Sequence, residues 1–186
     1  YTALPQIVAD ELGADWRTVA VEPAPINPLY ANSLALAELF EGTLARVPDD
    51  ALAGLAARSA AMLTGGATSV RNFEEACRIA GATARALLCQ AAAARLDVAP
   101  ADCRVAAGFV VHGERRVRFA ELAADAAGLS PPDPLPIGTQ GAGHLAGESL
   151  PRLDIPAKVD GSANFAGDIR LPDMVHAAIR QGPIGD

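Results

Sequence analysis

The chain has 186 residues, a formal charge of −7 and a pI near 4.9. That length holds one ordinary domain or two small ones, and the acidity excludes a general binder of nucleic-acid or lipid phosphates, which it would repel. Hydrophobic residues make up 51% but aromatic ones only 4%, so closely packed alanine-rich helices are expected rather than a bulky core, and no apolar run approaches the length of a bilayer span.

The first element is "TALPQIVADELGADW", where Leu4, Ile7, Val8 and Leu12 recur at helical spacing and Gly13 stops the helix. Thr2 is a candidate N-cap, and Pro5 is tolerated in the first turn, where a missing N–H costs nothing. "RTVAVEPA" reads as a short strand and "PAPINPLYANS" as loop. Helices are expected over residues 33–46 and 49–63, broken at "VPDD" by Pro48, with Asp49 or Asp50 capping the second.

The stretch "TGGATSVRNFEEACRIAGATAR" follows, a Gly-Gly loop leading into a long helix expected over residues 73–96. Asn72 and Glu75 have the spacing of a capping box. Phe73, Ala76, Cys77, Ala80, Ala84, Leu87, Leu88 and Ala91 form an apolar stripe. Around Gly81 that helix is nearly flat, which lets another backbone approach closely. "CRVAAGFVVHGERRVRFAELAADAAG" reads as two strands, a turn over 112–115, a third strand and a short helix. Residues 130–147 have the Pro- and Gly-rich composition of a linker. Beyond them, turn signals at Asp160-Gly161 and Pro172-Asp173 and a strand-like "MVHAAI" point to the start of a second, β-rich unit. The fold expected is α+β, with helices on a small sheet over 1–129, a linker over 130–147 and a further domain opening over 148–186. Both ends of the chain read as cut, so a piece of a longer polypeptide is expected.

Chemistry centres on Gly65, Gly66, Ala67, Thr68 and Ser69. Glycines let backbone N–H groups approach a ligand, Thr68 and Ser69 add hydroxyls, and a helix N-terminus favours an anion. The alternative is a plain helix-entry turn. No lysine follows the glycines, so this is not a nucleotide P-loop. Arg71, Arg78 and Arg85 recur every seven residues, either lining an anion or pairing with acids such as Glu74 and Glu75. "GAGHLAG" over 141–147 misses the dinucleotide spacing and follows no strand. Cys77, Cys89 and Cys103 are expected to be free thiols, and His112, His144 and His176 are far apart, so no metal ligand set is expected within the chain. No acid–base pair or nucleophile constellation stands out.

Three of these segments together resemble the large subunit of molybdenum hydroxylases, the xanthine dehydrogenase and aldehyde oxidase family. They are "YTALPQIVADELGADW", "TGGATSVRNFEEACRIAGATAR" and "PRLDIPAKVDGSANFAGDIRLPDMVHAAIR". The branch most resembled is that of isoquinoline 1-oxidoreductase beta subunits and membrane-associated bacterial aldehyde dehydrogenases. The resemblance implies that 1–129 is a partial molybdopterin-binding domain and that 148–186 opens an α/β hammerhead domain. It implies a molybdenum–molybdopterin cofactor, in its cytosine dinucleotide form, contacted at the loop 65–69. Ala67 stands where the family has a serine, so one hydrogen bond must come from backbone instead. Asp173 stands where the family often has glycine. The resemblance also implies hydroxylation of an aldehyde or N-heteroaromatic carbon with oxygen from water, an iron–sulfur partner subunit, and a periplasmic or membrane-associated location. The family's catalytic glutamate falls outside this chain, so the chain alone is expected to be inactive. The rival reading is a non-catalytic binding or assembly module.

Overall fold

A computed structural model of the chain describes residues 2–40, 43–44, 46–138, 145–180 and 182. Two units are formed, Tyr1–Leu153 and Asp154–Asp186. The first is helix-rich with a small three-stranded antiparallel sheet, an α+β arrangement as expected.

Helix α1 (Ala3–Leu12) ends at Gly13, whose φ of 75° lets its N–H close on the last turn. Thr2 caps nothing with its side chain; its hydroxyl instead accepts from Leu153 N at 3.3 Å. The strand expected in "RTVAVEPA" does not form. Asp15 caps a 3-10 turn over Trp16–Thr18 instead, because its carboxylate accepts from Arg17 N at 3.1 Å and offers a local alternative to a ladder. Helices α2 (Ser33–Leu39) and α3 (Asp49–Arg58) are shorter than expected. In α3, Asp49 and Asp50 occupy the first turn, and no side chain caps it.

The long helix α4 (Thr68–Leu96) begins five residues earlier than Phe73. Asn72 is therefore not its cap; it lies within the helix and its Oδ1 takes the Ser33 hydroxyl at 3.2 Å. The start is set by Gly66 and Ala67, both left-handed, with φ of 56° and 51°. Of the expected stripe, Leu88 and Ala91 are buried, whereas Ala76 and Ala80 are exposed. The sheet meets the expectation closely: β1 (Arg104–Ala106), β2 (Phe109–His112) and β3 (Arg115–Arg118) pair in order, and α5 (Phe119–Ala126) follows. Ala107 and Gly108 both take positive φ, as a two-residue hairpin turn of type I′ requires. The arginines of β3 cover Phe109, with the Arg116 guanidinium 4.5 Å from the ring centre.

Two small cores result. One joins Leu88, Ala92, Val105, Val110 and Leu122 between α4, α5 and the sheet. Leu122 and Val110 are fully buried, each contributing about 1.5–3 kcal/mol. The other joins Leu36, Leu52, Ala56 and Ala61. Helix α1 lies across α4 at Gly81, where an added Cβ would come 2.7 Å from Glu11 Cβ and 2.9 Å from the Val8 carbonyl. The flat face read at Gly81 is used, and α1 is its partner.

Beside that contact, Glu11 is wholly buried. Its Oε1 accepts from Arg85 Nη1 at 2.8 Å and from Gly138 N at 2.9 Å. Arg85 also donates to the Glu11 and Pro136 carbonyls. Next to it, Asp10 Oδ1 accepts from Leu145 N and Ala146 N. The linker-like residues on either side of 139–144 are thus pinned to α1 by two buried carboxylates.

In the second unit, α6 (Ile155–Val159) carries an ion pair between Lys158 and Asp154, 2.6 Å apart. Turns form at both expected places, with Gly161 at φ 80° and Asp173 at φ 57°. "MVHAAI" is not a strand, and no strand forms among the unit's described residues. Val175 and Ile179 stand 87% and 96% exposed, and among the described residues of this unit there is no strand for the segment to pair with.

Two stability effects are expected. Gly81→Ala forces α1 away from α4 and lowers unfolding free energy by about 1–3 kcal/mol. Glu11→Ala leaves Arg85 buried without its carboxylate and costs about 3–5 kcal/mol. Urea denaturation followed by circular dichroism measures both.

Candidate functional site

Of the five residues expected to form one cradle, three line two different clefts and Ala67 and Thr68 line neither. Gly65 and Gly66 line a cleft of about 320 Å³ with Ala35, Glu38, Leu39 and Leu63. Ser69 lines a larger apolar cleft of about 450 Å³ with Leu4, Val8, Tyr30 and Phe73. Thr64 borders both. Thr68 lies between them with no exposed surface. Its hydroxyl donates to the Gly65 carbonyl at 2.7 Å and accepts from Asn32 Nδ2 at 2.9 Å. Ala67 is exposed and left-handed at the N-cap of α4.

The loop has the parts an anion needs. The Thr68 N–H is taken by the Gly65 carbonyl at 3.0 Å; the N–H groups that follow it in the first turn of α4 lack intrahelical partners, as at any helix start. Gly65 has open space where a Cβ would stand. At Gly66 a Cβ would overlap the Glu38 carboxylate. The chain's own acid therefore sits against the glycine at the positive end of α4, as the helix dipole favours. Arg71 holds it there by an ion pair of 3.0 Å.

The arginine stripe pairs with acids. Arg71 meets Glu38, Arg78 meets Glu74 at 2.9 Å, and Arg85 meets Glu11. The Glu74 partner was legible in the sequence, while Glu11 and Glu38 come from other helices. A third cleft, of about 470 Å³, lies between α4, β1 and the segment ending at Gly138, with Arg85, Gln90, Cys89 and Cys103 on its wall. All three cysteines are free. Burial pushes the Cys89 thiol up to about 11, with Cys103 nearby adding to the shift. His112 Nδ1 lies 3.2 Å from Arg115 Nη2. His176 is in the second unit, and His144 lies outside the described residues, as does the 141–144 part of "GAGHLAG". Among the described residues no three potential ligands gather in a metal-binding group. No described helix is long and apolar enough to cross a membrane.

Comparison with known proteins gives a class first: the relatives are oxidoreductases and dehydrogenases. The chain is 28% identical to the beta subunit of isoquinoline 1-oxidoreductase from Brevundimonas diminuta, aligned over 99% of the chain and 25% of that protein. It is 28% identical to a membrane-bound aldehyde dehydrogenase (pyrroloquinoline-quinone) of Gluconacetobacter polyoxogenes, over 98% of the chain and 21% of the relative. It is 37% identical to the B subunit of nicotinate dehydrogenase from Pseudomonas putida, over 57% of the chain and 9% of the relative. The chain thus spans a quarter or less of the length of these relatives. No family model matches the chain. The resemblance to the isoquinoline 1-oxidoreductase branch is borne out by these homologues.

The Cys89 environment sets a chemical expectation. Only the thiolate alkylates, so Cys89 stays slow toward iodoacetamide at pH 8 and its rate climbs as pH approaches 11. Mass spectrometry of a pH series tests this; alkylation at pH 8 as fast as a free thiol would contradict it.

Proposed function

We propose that the chain is part of a molybdopterin-dependent oxidoreductase that hydroxylates an aldehyde or N-heteroaromatic carbon with oxygen from water. Its role is to hold the anionic pyrophosphate portion of the cofactor at the loop 65–69. The observation that carries this is a Gly-Gly loop at the positive end of α4 whose Gly66 already lies against a carboxylate, in a homologue of oxidoreductase subunits. When bound, the cofactor supplies the two-electron redox chemistry and oxygen transfer. Gly65 gives close backbone access, the first turn of α4 beyond Thr68 donates N–H groups, and Ser69 offers a hydroxyl from the other cleft. Glu38 must swing aside for the incoming anion, which frees Arg71 to pair with it instead.

The wider assignment follows the same reading. Residues 1–129 belong to the cofactor-binding domain, and 148–186 open a hammerhead domain completed by further polypeptide. The electrons pass to an iron–sulfur subunit of the same enzyme. The chain alone is inactive, and the enzyme works in the periplasm or at a membrane. Pyrroloquinoline-quinone, which appears in the name of one relative, is the competing redox group, and cofactor analysis separates the two.

Two substitutions in the full-length protein test the cradle. Gly65→Ala meets nothing within 4 Å, so it leaves the melting temperature unchanged while its methyl obstructs the ligand. Gly66→Val adds strain at a positive φ. Each is expected to lower pterin and molybdenum content several-fold, toward the roughly tenfold that about 1.4 kcal/mol produces. Full content in both variants would remove the reading.

A further inference from the structure

Asn32 and Thr68, 36 residues apart, are each fully buried and are joined by a hydrogen bond of 2.9 Å. Between them they hold every second carbonyl of the segment that leads into α4. Asn32 N donates to the Ala61 carbonyl at 2.8 Å. Asn32 Nδ2 donates to the Leu63 carbonyl at 3.0 Å. Thr68 donates to the Gly65 carbonyl twice, from its N–H at 3.0 Å and its hydroxyl at 2.7 Å. Meanwhile Asn32 Oδ1 accepts from Ala35 N at 3.0 Å and caps α2. The Asn32 side chain uses both of its amide donors and its oxygen, and the Thr68 hydroxyl both donates and accepts.

The carbonyls of residues 61, 63 and 65 all meet this one pair. Drawing them onto one buried pair fixes which way the segment faces as it reaches Gly66. The left-handed Gly66 and Ala67 then close the turn into the helix. A buried polar pair with every group satisfied specifies one geometry, because any slip leaves a donor or acceptor unpaired in a dry site.

We propose that Asn32 and Thr68 are positioning residues that preset the loop 64–67, and that the Thr68 hydroxyl serves this internal latch and does not touch the ligand. This rests on reading the loop as an anion cradle. It also names Asn32, the N-cap of α2, as a determinant of cofactor retention.

The test compares Thr68→Val, which keeps the shape and removes the hydroxyl, with Thr68→Ser, which keeps the hydroxyl. Asn32→Ala is the partner variant. All are made in the full-length protein from its native host, and two quantities are read: amide hydrogen exchange over 64–69, and molybdenum with pterin content. Thr68→Val and Asn32→Ala are expected to speed exchange across the loop and to lower content about tenfold. Thr68→Ser is expected to restore both to within about twofold of wild type. Wild-type exchange in Thr68→Val, or Thr68→Ser as impaired as Thr68→Val, would overturn the proposal. Should Thr68→Val not accumulate, the wild-type protein still decides. There the Thr68 and Ala35 amides must exchange as slowly as the body of α4, and exchange at the rate of an open turn would overturn it. The two readings fail separately. Loss of content in Gly65→Ala with full content in Thr68→Val keeps the cradle and removes the positioning role. Full content in both, with fast loop exchange in Thr68→Val, keeps the latch as a loop-shaping device and removes both the cradle and the role in retention.

Discussion

A carboxylate taken wholly out of water has to be met by a cation and by hydrogen-bond donors. Glu11 is such a group, and the first unit is arranged around meeting it. Arg85 reaches from α4, Gly138 N comes from the segment that follows α5, and Arg78 adds a charge 3.7 Å from the second oxygen. For Glu11 to reach Arg85, α1 has to lie close on α4, and only glycine at position 81 allows that approach. The contact therefore sets the placement of α4. It also draws in residues 136–138, whose composition is that of a free linker.

At the N-terminus of α4 the same logic recurs without charge. Asn32 and Thr68 satisfy one another and three carbonyls. Ordered polar groups thus hold the start and the middle of a helix of 29 residues. A loop held in this way meets an incoming anion with little further ordering, which is where preorganised sites save binding free energy. Glu38 complicates that simple picture. It occupies the approach to Gly66, so the site exchanges an internal anion for an external one and does not fill empty space.

Much of this was legible. The hairpins of β1–β3 announced themselves through alternation and short Gly-containing turns, and α1 through its stripe and Gly13. The Gly-Gly loop and its helix were readable as a possible anion site from local chemistry alone. What failed were choices decided elsewhere in the fold. Asn72 has a good capping pattern, yet α4 extends past it because Thr68 is drawn into a buried latch. "RTVAVEPA" has strand composition but no neighbouring strand, and Asp15 offers a nearer partner. Glu11 lies three residues after Val8 and seven after Leu4, on the apolar face of α1. That placement was the available sign that the acid is buried, and Arg78 and Arg85 carry the matching charges. Glu38 gave no such sign, because its meeting with Gly66 depends on how α2 lies beside the loop.

The central claim is that this chain contributes to a molybdenum–pterin site. The direct test is to purify the full-length protein from its native host, quantify molybdenum by elemental mass spectrometry, and assay oxidised pterin by fluorescence. Near-stoichiometric molybdenum with pterin is the predicted result. A folded, fully assembled protein with neither, or with pyrroloquinoline-quinone in their place, would contradict the account.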